Sequence, residues 1–100
     1  MSYLIVWEFQ ARPEARQEFE RVYGPDGDWA RLFRRGDGYL GTELLRDREH
    51  DRYLVLDRWS SLQHYESFRH AHAADYKRLD QRCEALTVRE APLGTFDTLD

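Results

Sequence analysis

The chain reads as an α+β fold in which a four-stranded antiparallel sheet carries its helices on one face, and three observations lead there. Short β-branched and aromatic runs alternate with amphipathic stretches in the order strand, helix, strand, strand, helix, strand. Between Gly38 and Cys83, GYLGTELLRD and RYLVLDRWSS flank a short charged turn, a hairpin that runs with almost no linker into LQHYESFRHAHAADYKRLDQRC. The inner stripe of that last segment is aromatic and carries one histidine, so the interior is rich in flat rings.

Tyr3 to Phe9 (YLIVWEF) has the composition of a strand buried on both faces. Pro13 suits the first turn of a helix, with Glu14 favourable near its positive end. Ala15, Phe19, Val22 and Tyr23 then recur at helical spacing. Gly24-Pro25-Asp26-Gly27 ends that helix, and Asp28 is placed to cap a short second one bearing Trp29, Leu32 and Phe33. Gly36-Asp37-Gly38 is a turn before a strand over 39–46. The charged stretch 47–51 turns the chain into a third strand over 52–59, antiparallel to the second. Ser60 or Ser61 caps one long helix whose stripe is Leu62, Tyr65, Phe68, His72, Tyr76, Leu79 and Cys83, with Leu86 just past its end. A last strand begins at 87–90, and Pro92 and Gly94 mark an irregular, edge-like tail from Ala91 to Asp100.

With right-handed crossovers this order folds as a ferredoxin-like βαββαβ unit, a single domain over 1–100. Tyr53, Val55, Asp57 and Trp59 share one face of the third strand, and Leu54, Leu56 and Arg58 share the other. On the first strand Tyr3, Ile5, Trp7 and Phe9 oppose Leu4, Val6 and Glu8. Neither face is a plain water face and helices cover only one, which predicts a homodimer packed through the other sheet face.

A net charge of −4 argues against a nucleic-acid surface, and the basic group Arg31, Arg34 and Arg35 reads as a solvated helix end. Cys83 is the sole cysteine, which excludes an internal disulfide and a multi-cysteine zinc site and fits a reducing cytoplasm. The first residues form a strand rather than a secretory leader, and no apolar run approaches the roughly 20 residues that cross a bilayer. The expectation is a soluble cytoplasmic protein with no membrane partner.

These residues resemble the antibiotic biosynthesis monooxygenase domain family, within the dimeric α+β barrel superfamily. The likeness runs from YLIVWEFQARPE through DWARLFRR, GYLGTELLRD and YLVLDRWSSLQHYESF to LGTF. Its most specific part is the Gly-Tyr-Leu-Gly strand, then Asp-Arg-Trp-Ser and the aromatic helix. The resemblance implies a dimeric barrel and, in one branch, cofactor-independent oxygenases of polycyclic aromatic phenols or quinols that orient substrate with Asn, Trp and Tyr. Another branch degrades haem, using an Asn on the first strand, a Trp in the second helix and a His further along. Here Trp7 or Glu8 stands at the first-strand position and Phe68 at the helical one; only His72 matches, and the chain contains no Asn.

Triplet dioxygen attacks closed-shell organic molecules slowly. A cofactor-free oxygenase therefore needs a flat apolar slot, a group to take a phenolic proton and donors for the oxyanion. His72 is the one histidine on the inward stripe, a residue type suited to handling protons, and Tyr76 lies one turn on, so these two are the candidate catalytic residues. Trp59, Trp7, Phe68 and Tyr65 are the candidate substrate contacts. Each also has a plain structural role open to it: His72 as a satisfied core histidine, the aromatic residues as core or interface packing. Asp57 and Arg58 point to opposite faces and form no dyad.

His70 and His72, two apart on a helix, project about 200° from each other and cannot share one ion, so no metal is expected. Neither a dinucleotide fingerprint nor a phosphate loop is present, so no cofactor is expected. The function expected is oxidation of a small aromatic phenol or quinol to a quinone. The alternatives are a non-enzymatic dimer that holds or shields an aromatic ligand and, further off, a haem-handling protein.

Overall fold

The computed structural model describes residues 1–99; Asp100, the end of the tail and of the expected domain, lies outside the described residues. The strands are β1 (Tyr3–Ala11), β2 (Tyr39–Arg46), β3 (Tyr53–Trp59) and β4 (Thr87–Asp97), and the helices are α1 (Arg16–Tyr23), α2 (Asp28–Phe33), α3 (Leu62–Ala71) and α4 (Ala73–Cys83). The sheet order is β2-β3-β1-β4 with every neighbouring pair antiparallel, the ferredoxin-like topology read from the sequence. β1 and β3 hold the centre because they are the most apolar runs. Along β3 the alternation is strict: Tyr53, Val55, Asp57 and Trp59 are buried, while Leu54, Leu56 and Arg58 between them are only partly covered.

The helices pack on the face that carries Ile5, Phe9, Tyr53, Val55 and Trp59. Two groups of rings fill the space. Phe9, Phe19 and Tyr23 meet at centroid distances of 4.4 to 5.5 Å under α1. Trp59 has no exposed surface and lies 5.2 Å from Phe68, 5.3 Å from Tyr39 and 5.7 Å from Phe33. Its indole N–H is buried with no acceptor among the described residues, a cost set against the apolar area that the ring removes from water.

The structure departs from expectation in local details. The long helix is two, α3 and α4, meeting at His72, whose backbone leaves the helical region (φ −119°, ψ 29°). Hydrogen bonds from His72 N to Phe68 O and from Tyr76 N to His72 O, each 2.9 Å, carry the chain across the bend. No Pro or Gly marks it; α3 packs against β3 and α4 against α2, so the bend lets one aromatic stripe follow two surfaces. Asp28 does not cap α2. Gly27 holds the cap position, where a Cβ would sit 2.3 Å from the carbonyl oxygens of Arg21 and Val22, and Asp28 instead pairs with Arg31 and Arg82. Of the two serines, Ser61 caps α3, its Oγ accepting from His64 N at 3.1 Å. β4 is not confined to its start: it continues to Asp97 past Pro92, with a register shift between the Val6–Gly94 and Trp7–Pro92 pairs that leaves Leu93 as the extra residue.

Truncating Trp59 to Ala removes the ring on which four others rest and is expected to destabilise the fold by about 3–5 kcal/mol. Trp59→Phe is expected to cost less, since it also removes the orphan N–H. Denaturant midpoints of the two variants check this ordering.

Candidate active site

Between the sheet and the helices lies a partly open cleft of about 270 Å³. Alternation on β1 turns Trp7 and Phe9 into it, and alternation on β3 turns in Val55 and Asp57. The helical stripes add Tyr23 from α1, Trp29 and Phe33 from α2, Arg69 from α3, and Tyr76 and Asp80 from α4; Glu90 on β4 completes the wall. Flat rings therefore form most of the lining, which suits a planar organic molecule.

Asp57 is the polar group on the sheet side. It is only 8% exposed. Its Oδ1 accepts a 2.6 Å hydrogen bond from Thr42 Oγ1, and Thr42 Oγ1 lies 2.6 Å from the Tyr39 hydroxyl. No other side chain among the described residues hydrogen-bonds to it, so Oδ2 is the oxygen left to a molecule in the cleft. Burial pushes its acid range up to about 6, and the Thr42 hydrogen bond partly opposes that rise. A carboxyl held there is ionised above about 6 and able to take a proton from a bound acid.

Arg69 is the cleft's cation. Its guanidinium stacks 3.8 Å from the centroid of the Tyr76 ring, and its Nη1 donates to the Tyr65 hydroxyl at 3.0 Å. No carboxylate among the described residues pairs with it within salt-bridge distance. The rings thus hold a planar set of donors with positions to spare. Burial raises the acid range of the Tyr76 phenol, which stays protonated and able to donate. Glu90 is also raised, first by burial and then by the charges of Asp80 and Glu84.

Of the residues singled out from the sequence, Trp7 and Tyr76 line the cleft. Tyr65 lies behind Arg69 and packs 5.5 Å from Trp59 and 6.3 Å from Tyr3. Trp59 and Phe68 are buried core rings beside the cleft. His72 is not part of the wall; half-buried at the bend, its ring rests 5.2 Å from Phe68. Asp57, Arg69, Tyr23, Trp29 and Phe33 also line the cleft and are not among the candidates read from the sequence. For Asp57 the signal was present, a lone carboxylate in the alternating inward set of β3. Arg69 had none, since an arginine one position after an inward Phe68 reads as a surface residue. Among the described residues no group of three or more His, Cys, Asp or Glu side chains is gathered to hold a metal ion. No helix among them is long and apolar enough to cross a membrane.

The fold recurs in solved structures. SnoaB from Streptomyces nogalater, a cofactor-independent oxygenase, superposes with a TM-score of 0.78 at 22% identity, over 99% of this chain and 94% of that one. Rv0793 from Mycobacterium tuberculosis superposes with a TM-score of 0.72 at 19% identity, over 100% and 97%. PA3566 from Pseudomonas aeruginosa gives 0.68 at 17% identity, over 99% and 95%. No curated protein sequence matches the chain. The family profile described as antibiotic biosynthesis monooxygenase matches residues 2–79, a span holding the first three strands, the rings that line the cleft and Asp57, and the chain belongs to that family.

Proposed function

We propose that the cleft carries out cofactor-independent oxygenation of a small aromatic phenol or quinol to a quinone. The observation that carries this reading is a buried carboxylate with one free oxygen in an otherwise ring-lined cleft. Asp57 Oδ2 takes the phenolic proton, leaving an electron-rich phenolate between the rings. The phenolate passes one electron to dioxygen and the two radicals combine at a ring carbon. One oxygen atom stays there as a carbonyl and the other leaves as water; the substrate supplies the two hydrogens and all four electrons. Arg69 and the Tyr76 hydroxyl are the donors available to the oxyanion, and Trp7 and Trp29 hold the ring plane. The family name and the likeness to SnoaB support oxygenation.

A second copy of the chain completes the molecule in this reading. The sheet face turned from the helices presents Leu4, Leu54 and Leu56, and its partners on the edge strands include Leu45 (43% exposed) and Phe96 (51% exposed). Those leucines and Phe96, interspersed with Glu8, Glu43 and Arg58 on the same face, favour a homodimer for a chain of 100 residues. Leu56→Arg is expected to yield monomer in sedimentation at micromolar concentration, where the wild type sediments as dimer.

Oxygen uptake by metal-free protein with hydroquinone and anthrone-type substrates tests the reaction. Uptake is expected to rise with pH through about 6, to fall by about 10²-fold or more in Asp57→Asn, and to persist in His72→Ala. No enzyme-dependent uptake across such a panel, with tryptophan fluorescence still quenched by ligand, would instead mark a binding module.

Stability gives a check without substrate. The folded-state acid range of Asp57 lies above the ordinary value of 3.8. Its contribution is therefore fully present below about 3.8 and is lost as pH rises through about 6. Relative to the wild type, Asp57→Asn is expected to gain up to roughly 3 kcal/mol between pH 3.5 and pH 8, read from denaturant midpoints at the two pH values.

A further inference from the structure

In a regular strand, residues three apart point to opposite faces of the sheet. Tyr39 and Thr42 are three apart on β2, yet their hydroxyl oxygens lie 2.6 Å from each other. The pairing with β3 explains it: Tyr39 stands opposite Trp59 and Gly41 opposite Arg58, the residue just before Trp59, so Leu40 is an extra, bulged residue. Leu40 is 54% exposed, and Gly41 takes a φ of +144°, where glycine alone is at ease. Bulges re-aim side chains, and this one brings the Tyr39 hydroxyl to Thr42.

Thr42 is the direct cross-strand partner of Asp57. Its hydroxyl has a single hydrogen, and an ionised carboxylate can only accept, so that hydrogen goes to Asp57 Oδ1. Tyr39 must then donate to the Thr42 oxygen. Every hydrogen of the chain points at the carboxylate, and each bond polarises the next. Resting on the reading that Asp57 takes the substrate's proton, we infer that Thr42 and Tyr39 are positioning residues that keep Asp57 ionised with Oδ2 turned to the cleft, and that the Leu40 bulge exists to assemble them.

The other ionisable groups around the cleft are Tyr23 on α1, Arg69 on α3, Tyr76 and Asp80 on α4, and Glu90 on β4; β1 and α2 contribute only Trp and Phe to the wall. Asp80 and Glu90 oppose a further negative charge and Arg69 favours one. Among the described residues only Thr42 hydrogen-bonds to the Asp57 carboxyl, so its loss must register on that group directly.

The test is a carboxyl ¹³C NMR titration of the full chain without substrate, with the Asp57 resonance assigned by its disappearance in Asp57→Asn. Thr42→Val is expected to move the Asp57 midpoint upward by about one pH unit, Thr42→Ser to restore it, and Tyr39→Phe to move it upward by less. Where turnover is measured, the acid limb of the pH profile is expected to move with it. An Asp57 midpoint unmoved in Thr42→Val overturns the inference; should that variant not fold, an unmoved midpoint in Tyr39→Phe does so. Because the titration uses no substrate, absent oxygen uptake beside a displaced midpoint sinks the oxygenation reading alone.

Discussion

Strict alternation along β3 is the constraint from which the site follows. A strand that buries Tyr53, Val55 and Trp59 must bury whatever stands at position 57, and the chain places a carboxylate there. Among rings an acid is costly to ionise, and the structure meets that cost locally, with one hydroxyl and a second behind it. Among the described residues no cation lies within salt-bridge distance of the carboxylate. A neutralising arginine would have made Asp57 a permanently ionised structural group; a hydroxyl leaves it responsive to pH near neutrality.

The helices set the opposite wall by other means. Arg69 is held flat between the Tyr76 ring and the Tyr65 hydroxyl, so its planar donors need little ordering when a ligand arrives. The bend at His72 separates the segment that carries Arg69 from the one that carries Tyr76 and Asp80. Acceptor on the sheet and donor on the helices thus stand on different layers, which a flat molecule between them can touch together.

The fold was legible because it rests on periods: two along the strands, three and four along the helices. Those periods sorted the residues of β1 and β3 into their two faces, without showing which the helices cover, and identified the aromatic stripe from Leu62 to Cys83. They did not reveal the bend at His72, since the stripe continues through it and no breaker residue stands there. For the same reason the histidine read as inward from its spacing, although its ring rests on Phe68 rather than in the cleft. Asp57 was legible in principle, as the one charged residue in the set Tyr53, Val55, Asp57 and Trp59 of β3. Thr42 and Tyr39 were not, because their odd separation assigns them to opposite faces until the Leu40 bulge is known. Arg69 was not, because its place depends on rings brought from elsewhere in the chain.

The irregularities of β4 have a bearing on how the protein behaves when concentrated. An edge strand invites another chain to continue the ladder, the first step towards fibrils. Here Pro92 lacks an N–H to offer, Leu93 interrupts the register, and Gly94 at φ +149° twists the backbone away from a flat path. Growth by adding strands along that border is disfavoured, although Val88, Leu93 and Phe96 are each about half exposed.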